Sequence, residues 1–281
     1  MPSTVHVETV WLVSLAIAAV FCIVYPFVLA IIAGRRLQVS WRYFGWGALI
    51  FFVFQMITRV PLVLVLQNAL AKQLAASPTL RLTWLVILAV TAGLFEEFGR
   101  YVAYRWLMRH EEKTWSKAVM YGIGHGGLES ILLVGGLRVL TLLNIVVLTT
   151  MNLNTLPPAQ HEAVVQQFAA INAQPGWFPL LGAWERLWLL PVQIGLSVIV
   201  VQVFRRGNIG WLWLAILAHA VVDFTTVEVG QVLRPGISTS LIQEGIVLVF
   251  GLLALWVIWV LRDRPAVTET SGEPAPGPAV S

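Results

Sequence analysis

Seven stretches of the chain, residues 10–33, 41–66, 82–105, 116–150, 184–204, 209–229 and 241–261, are apolar for long enough to cross a bilayer as helices, which takes about 20 residues each. Only 11% of the 281 residues are charged, against about 25% in a water-facing domain. The polar surface of an ordinary soluble globule is therefore missing. The reading is an all-α, polytopic transmembrane helical bundle of about seven spans, forming a single domain over residues 1–264. Residues 265–281 turn to Pro, Gly, Glu, Thr and Ser, a composition that cannot bury enough apolar surface to fold, and read as a disordered cytoplasmic tail. No Lys or Arg precedes the first stretch, and it is too long for a signal core, so it reads as an uncleaved span. Cys22 is the single cysteine, which excludes an internal disulfide.

Charge sets the expected topology. With seven crossings and the amino terminus outside, the inner segments carry Arg35, Arg36, Arg42, Arg105, Arg109, Lys113, Lys117, Arg205, Arg206, Arg262 and Arg264, and the outer ones only Lys72, Arg81 and Arg234. This asymmetry follows the positive-inside rule and puts the carboxyl terminus in the cytoplasm. Stretch 116–150 is long enough to split into a hairpin at Gly135-Gly136, but a split would put Arg205 and Arg206 outside. A single crossing is preferred. The net charge of +4 is spread in short clusters between apolar runs, a pattern of membrane topology and not of nucleic-acid binding. The one sizeable loop, 152–183, lies outside between Pro157-Pro158 and Pro175-Gly176. Within it Ala163, Val164, Phe168 and Ile171 recur at helical spacing, which predicts a short amphipathic helix at the outer interface, either a plain cover or a gate.

Against this apolar background stand Glu96, Glu97, Arg100, His125, Glu129, Arg138, Glu185, Arg186, His219 and Asp223 at membrane depth. Each central charge costs about 2.5–3.5 kcal/mol on insertion, so the set must compensate itself or line a wet cavity. Arg100 follows Glu96 by four residues and Glu97 by three, within reach of either on one helix face. The simpler reading is a buried ion pair. Two carboxylates against one guanidinium, however, leave an excess negative charge that suits a general base or a metal. His125 and Glu129 share a four-residue spacing, and His219 and Asp223 repeat it; imidazole and carboxylate are zinc's usual ligands apart from thiolate. The glycines around His125, at 122, 124, 126 and 127, each cost about 1 kcal/mol of helix propensity. Close approach of a neighbouring helix or access for a substrate backbone would offset that loss. Glu185 and Arg186 can pair locally near the outer interface. No phosphate-binding loop, Gly-x-Ser-x-Gly elbow or His-Glu-x-x-His pattern is present, so nucleotide hydrolysis and the usual soluble zinc-protease layout lose support.

The segments Leu94-Phe95-Glu96-Glu97-Phe98-Gly99-Arg100-Tyr101, Tyr121-Gly122-Ile123-Gly124-His125-Gly126-Gly127-Leu128-Glu129, Glu185-Arg186 and Leu217-Ala218-His219-Ala220-Val221-Val222-Asp223-Phe224 together resemble the YhfC family. That family sits in a wider group of intramembrane metalloproteases with PrsW and the CAAX-processing and bacteriocin-processing proteases. The resemblance implies a seven-helix fold in a cell membrane of the bacterial cytoplasmic type, acting as a peptidase on membrane-protein or peptide substrates. Residue by residue, it implies Glu96 and Glu97 as the pair that activates water and Arg100 as the basic residue that follows them. It also implies His125 as the second-motif histidine and His219 with Asp223 as the last motif. One position departs from the family pattern: where a histidine often stands four residues before a serine, this chain has Gln193 ahead of Ser197. The imidazole donors are then His125 and His219.

The expected chemistry is hydrolysis of a peptide bond within the bilayer. Zinc held by His125, His219 and a carboxylate, Glu129 or Asp223, would polarise the scissile carbonyl. Glu96 or Glu97 would take a proton from water and pass it to the leaving amine, with Arg100 orienting the glutamate. A metal-free variant, in which the glutamate activates water and the histidines donate to the oxyanion, stays open. The rivals from other classes are a proton- or cation-coupled transporter, for which no inverted repeat is visible, and a catalytically silent membrane-binding relative.

Overall fold

The computed structural model describes residues 3–234 and 236–263. Each expected span is a helix: α1 (Thr9–Leu37), α2 (Arg42–Ala69), α3 (Pro78–Leu107), α4 (Trp115–Thr150), α6 (Leu181–Arg206), α7 (Gly210–Val232) and α8 (Ile237–Val260), with α5 (Pro158–Asn172) in the loop between α4 and α6. Among the described residues, seven helices are long and apolar enough to cross a membrane, and α4 is one continuous rod. The protein is a multi-pass membrane protein. Arg264 and the tail 265–281 lie outside the described residues.

Local chemistry sets the helix ends. Ser77 Oγ accepts from the Leu80 amide at 3.2 Å to open α3, with Pro78 following as the first helical residue; a proline fits there because that N–H has no helical partner. Thr114 does the same for α4, accepting from Lys117 N. Gly207, at φ +63°, ends α6 in the left-handed conformation that favours glycine. Along α1 the buried positions Trp11, Leu15, Ala18, Cys22, Pro26, Ala30 and Ala33 recur every three or four residues, while Val10, Val13, Ile17 and Val24 face outward. The inward stripe carries small residues, as helix packing in lipid prefers.

The middle of the bundle is α6, 78% of whose apolar window is buried against 17–33% for the others. Helices α4, α3, α7 and α8 pack around it, with α2 on α4 and α7 on α3. The closest crossing joins α2 and α4: a Cβ on Gly47 would stand 2.0 Å from the Tyr121 carbonyl oxygen, and one on Gly124 2.0 Å from that of Phe44. Gly122 and Gly126 likewise meet Ile194 and Gln193 of α6. The glycines around His125 therefore serve helix contact, one of the two uses the sequence left open.

Three spans contain π-helical stretches, Phe52–Arg59 in α2, Ala103–Leu107 in α3 and Ser130–Gly136 in α4. At one end of the bundle the N-terminal segment meets the α4–α6 loop, through Leu153 N to Ser3 O (2.9 Å) and Asn172 Nδ2 to His6 O (2.9 Å). At the other end Arg42 pairs with Glu111 (2.8 Å) and the Trp115 amide donates to Asp263 (3.2 Å). The apolar face of α5 is turned onto the protein itself, with Phe168, Val164 and Ile171 against Trp11, Leu15 and Ile145.

Candidate active centre

Gly93 lets α7 come within contact of α3, since a Cβ there would lie 2.6 Å from the Ile216 carbonyl. That approach brings His219 against the glutamate pair. His219 Nδ1 lies 2.7 Å from Glu97 Oε1, while its Nε2 faces Glu96 Oε2 at 4.0 Å and Asp223 Oδ2 at 3.7 Å. From α4, His125 Nε2 lies 2.9 Å from Glu96 Oε2, with the Phe51 ring edge-on to the imidazole at 5.2 Å. Arg100 is fully buried and spends its donors on Glu97, on Gln193 Oε1, and on Ser197 Oγ at 3.1 Å. Its distance to Glu96 Oε2 is 3.8 Å. Six of the seven residues singled out for the site, Glu96, Glu97, Arg100, His125, His219 and Asp223, thus form one network across α3, α4 and α7.

Glu129 joins that network by a different route from the one its spacing to His125 suggested. Its Oε1 accepts from Arg186 Nη1 at 2.7 Å and its Oε2 from Gln193 Nε2 at 2.7 Å. Both oxygens are engaged by α6, whereas Asp223 lies beside His219. Arg186 also donates to Glu185 at 2.5 Å, extending the local pair expected there into a bridge to α4.

A cavity of about 100 Å³ opens at this centre, lined by Gln55, Glu96, Glu129, Gln193, His219 and Asp223 among others. Glu96 is on its wall. Glu97 is not, being 0% exposed behind Arg100 and His219. Sequence reasoning missed two polar residues, Gln55 and Arg59, each 8% exposed on the π-helical stretch of α2. Arg59 donates to the Leu88 carbonyl (2.5 Å) and to Thr91 Oγ1 (3.3 Å), tying α2 to α3. The missed signal was an arginine within an apolar run, four residues after a glutamine.

Fold and centre define a polytopic membrane protein whose bundle encloses an acid, imidazole and guanidinium network around a small cavity. The chain belongs to the YhfC intramembrane metalloprotease family, whose model matches residues 21–247. It is similar to the uncharacterized membrane protein YhfC of Bacillus subtilis (strain 168), 30% identical over 268 residues that cover 90% of this chain and 96% of that protein. No solved structure matches the chain.

The family description implies a metal ion, and the donor chemistry suits one. His219 has Nδ1 tied to a carboxylate and Nε2 turned toward two others, the arrangement in which a metal-bound imidazole is usually held. Among the described residues, no three His, Cys, Asp or Glu side chains converge into a ready-made metal cage. The donors adjoin one another in pairs, as His125 with Glu96 and His219 with Asp223.

Proposed function

We propose that the protein hydrolyses peptide bonds of membrane-embedded protein or peptide substrates, with Glu96 as general base. The observation that supports this reading is the placement of Glu96, which lines the cavity with its Oε2 2.9 Å from His125 Nε2. Glu97, by contrast, is committed to Arg100 and His219. A cavity of about 100 Å³ has room for water beside Glu96, and Leu189, Val192, Leu196 and Val222 form its apolar wall.

Glu96 takes a proton from water as the water oxygen bonds to the scissile carbonyl carbon and the carbonyl π pair moves onto its oxygen. The carbonyl then re-forms, the C–N bond breaks, and Glu96 gives the proton to the amine nitrogen. His125 holds the Glu96 carboxylate in place, and Glu97 holds both Arg100 and His219. Zinc suits this donor set and would be held by His125, His219 and Asp223, where when bound it supplies Lewis-acid polarisation of the carbonyl.

The test is purified protein in liposomes with a pool of single-span membrane peptides, new termini being read by mass spectrometry. Glu96→Gln is expected to lower turnover by about 10²-fold or more with folding intact. Wild-type turnover in Glu96→Gln would overturn the assignment. Chelation is expected to stop cleavage and added Zn²⁺ to restore it; full activity in chelator would favour the glutamate-only route.

A further inference from the structure

We propose that Gln55 is a further catalytic residue, whose side-chain amide donates an N–H to the oxygen of the scissile carbonyl as charge develops there. The inference rests on the peptidase reading above and adds a residue from α2, an element outside the motifs that carry the family resemblance. Most of α2 faces outward, yet Gln55 is 8% exposed and stands on the cavity wall with Glu96, His219 and Asp223. Its Oε1 is buried without a partner, and no hydrogen bond among the described residues engages its amide. A buried amide left unpaired is costly, and leucine at this position would avoid the loss.

Elimination points the same way. Among the donors near the cavity, Gln193 gives Nε2 to Glu129, Arg186 gives its two Nη atoms to Glu129 and Glu185 and keeps Nε buried, and Arg100 binds Glu97, Gln193 and Ser197. His219 has Nδ1 on Glu97 and turns Nε2 toward the carboxylates of Glu96 and Asp223. Beyond that imidazole and the two glutamine amides, the polar wall is carboxylate, which repels a developing oxyanion. Gln55 is the cavity-lining amide whose N–H is not already engaged. The backbone around it is held: Thr58 Oγ1 donates to the Val53 carbonyl at 2.7 Å, five residues back, and Arg59 is anchored to α3. A π-helical stretch of this kind recurs at functional sites, and a fixed donor aimed at developing charge is what oxyanion stabilisation requires.

The experiment compares Gln55→Leu and Gln55→Met with the wild type and Glu96→Gln in the same liposome assay, with thermal unfolding recorded in detergent. Both Gln55 variants are expected to lose about 10²-fold in kcat with KM within about twofold, and to unfold at or above the wild-type temperature. The second variant keeps the test informative should the branched side chain fit poorly. Gln55 variants with kcat within about twofold of wild type, or with lowered unfolding temperature as their only defect, would overturn the proposal while an inactive Glu96→Gln leaves the peptidase reading standing. Full turnover in Glu96→Gln, or no cleavage by the wild type, overturns that reading and this inference with it.

Discussion

Gln193 accepts from Arg100 through Oε1 and donates from Nε2 to Glu129, so one amide joins the Arg100–Glu97 pair to Glu129 and Arg186. A guanidinium only donates and a carboxylate only accepts, which leaves one orientation of the amide that satisfies both. Substituting leucine strands a donor on Arg100 and an acceptor on Glu129, each worth about 1–3 kcal/mol when buried unpaired. Gln193→Leu is therefore expected to lower the unfolding temperature in detergent and to reduce turnover; an unchanged melt would show that the bridge is dispensable. The residue types of the centre were legible because charged groups in apolar runs are conspicuous. Their partners were not. Glu129 sits four residues from His125 and binds Arg186 instead, and α2 carries no acidic residue to mark Gln55 and Arg59 as part of a polar centre. Helical spacing reports which side chains share a face, whereas the contacts of a buried group depend on which helix is packed against that face.

At the scale of elements, the crossing of α2 and α4 decides where the cavity wall stands. A Cβ at Gly47 or Gly124 would meet backbone oxygen at 2.0 Å, while one at Gly45 meets nothing within 4 Å. Gly47→Ala and Gly124→Ala are expected to push α2 off α4, carrying Phe51 and Gln55 from the cavity. The expected cost is about 1–3 kcal/mol, as for overpacking in a core, together with loss of turnover. Gly45→Ala, on the same helix, is expected to be neutral or slightly stabilising, because alanine is the better helix former. Equal unfolding temperatures for all three variants would show that the helices can separate freely. The seven spans themselves were readable because hydrophobic length is a one-dimensional property. The π-helical stretches carry no such signal, since one extra residue in a turn leaves the apolar run unchanged. Helix α5 was foreseen from its spacing, but its apolar residues cover the ends of α1 and α4 and so part of its face is taken by the protein and not by lipid.

For the molecule as a whole, the contacts of Ser3 and His6 with the α4–α6 loop, and of Trp115 with Asp263, define two opposite ends of a seven-span bundle. Which end faces the cytoplasm is a matter of charge, and the cluster at Arg35, Arg36, Arg205 and Arg206 argues for the Asp263 end. Because Cys22 is fully buried, single-cysteine probes can be added without background. Cysteines replacing Lys72 and Gln166 are expected to react with a membrane-impermeant maleimide in intact cells, and those replacing Arg36 and Arg206 only after permeabilisation; the reverse pattern would invert the topology. The sequence alone determined that the chain spans a membrane about seven times, because apolar length and basic clusters act through the bilayer and need no knowledge of neighbours. It also showed that acids and imidazoles are buried, since their insertion cost is local to each span. Only the tertiary structure decided that Glu96 faces the cavity while Glu97 supports His219 and Arg100, that Gln193 links them to Glu129, and that Gln55 reaches the same wall. Those assignments depend on distances between helices, which are set by where glycine allows two backbones to touch.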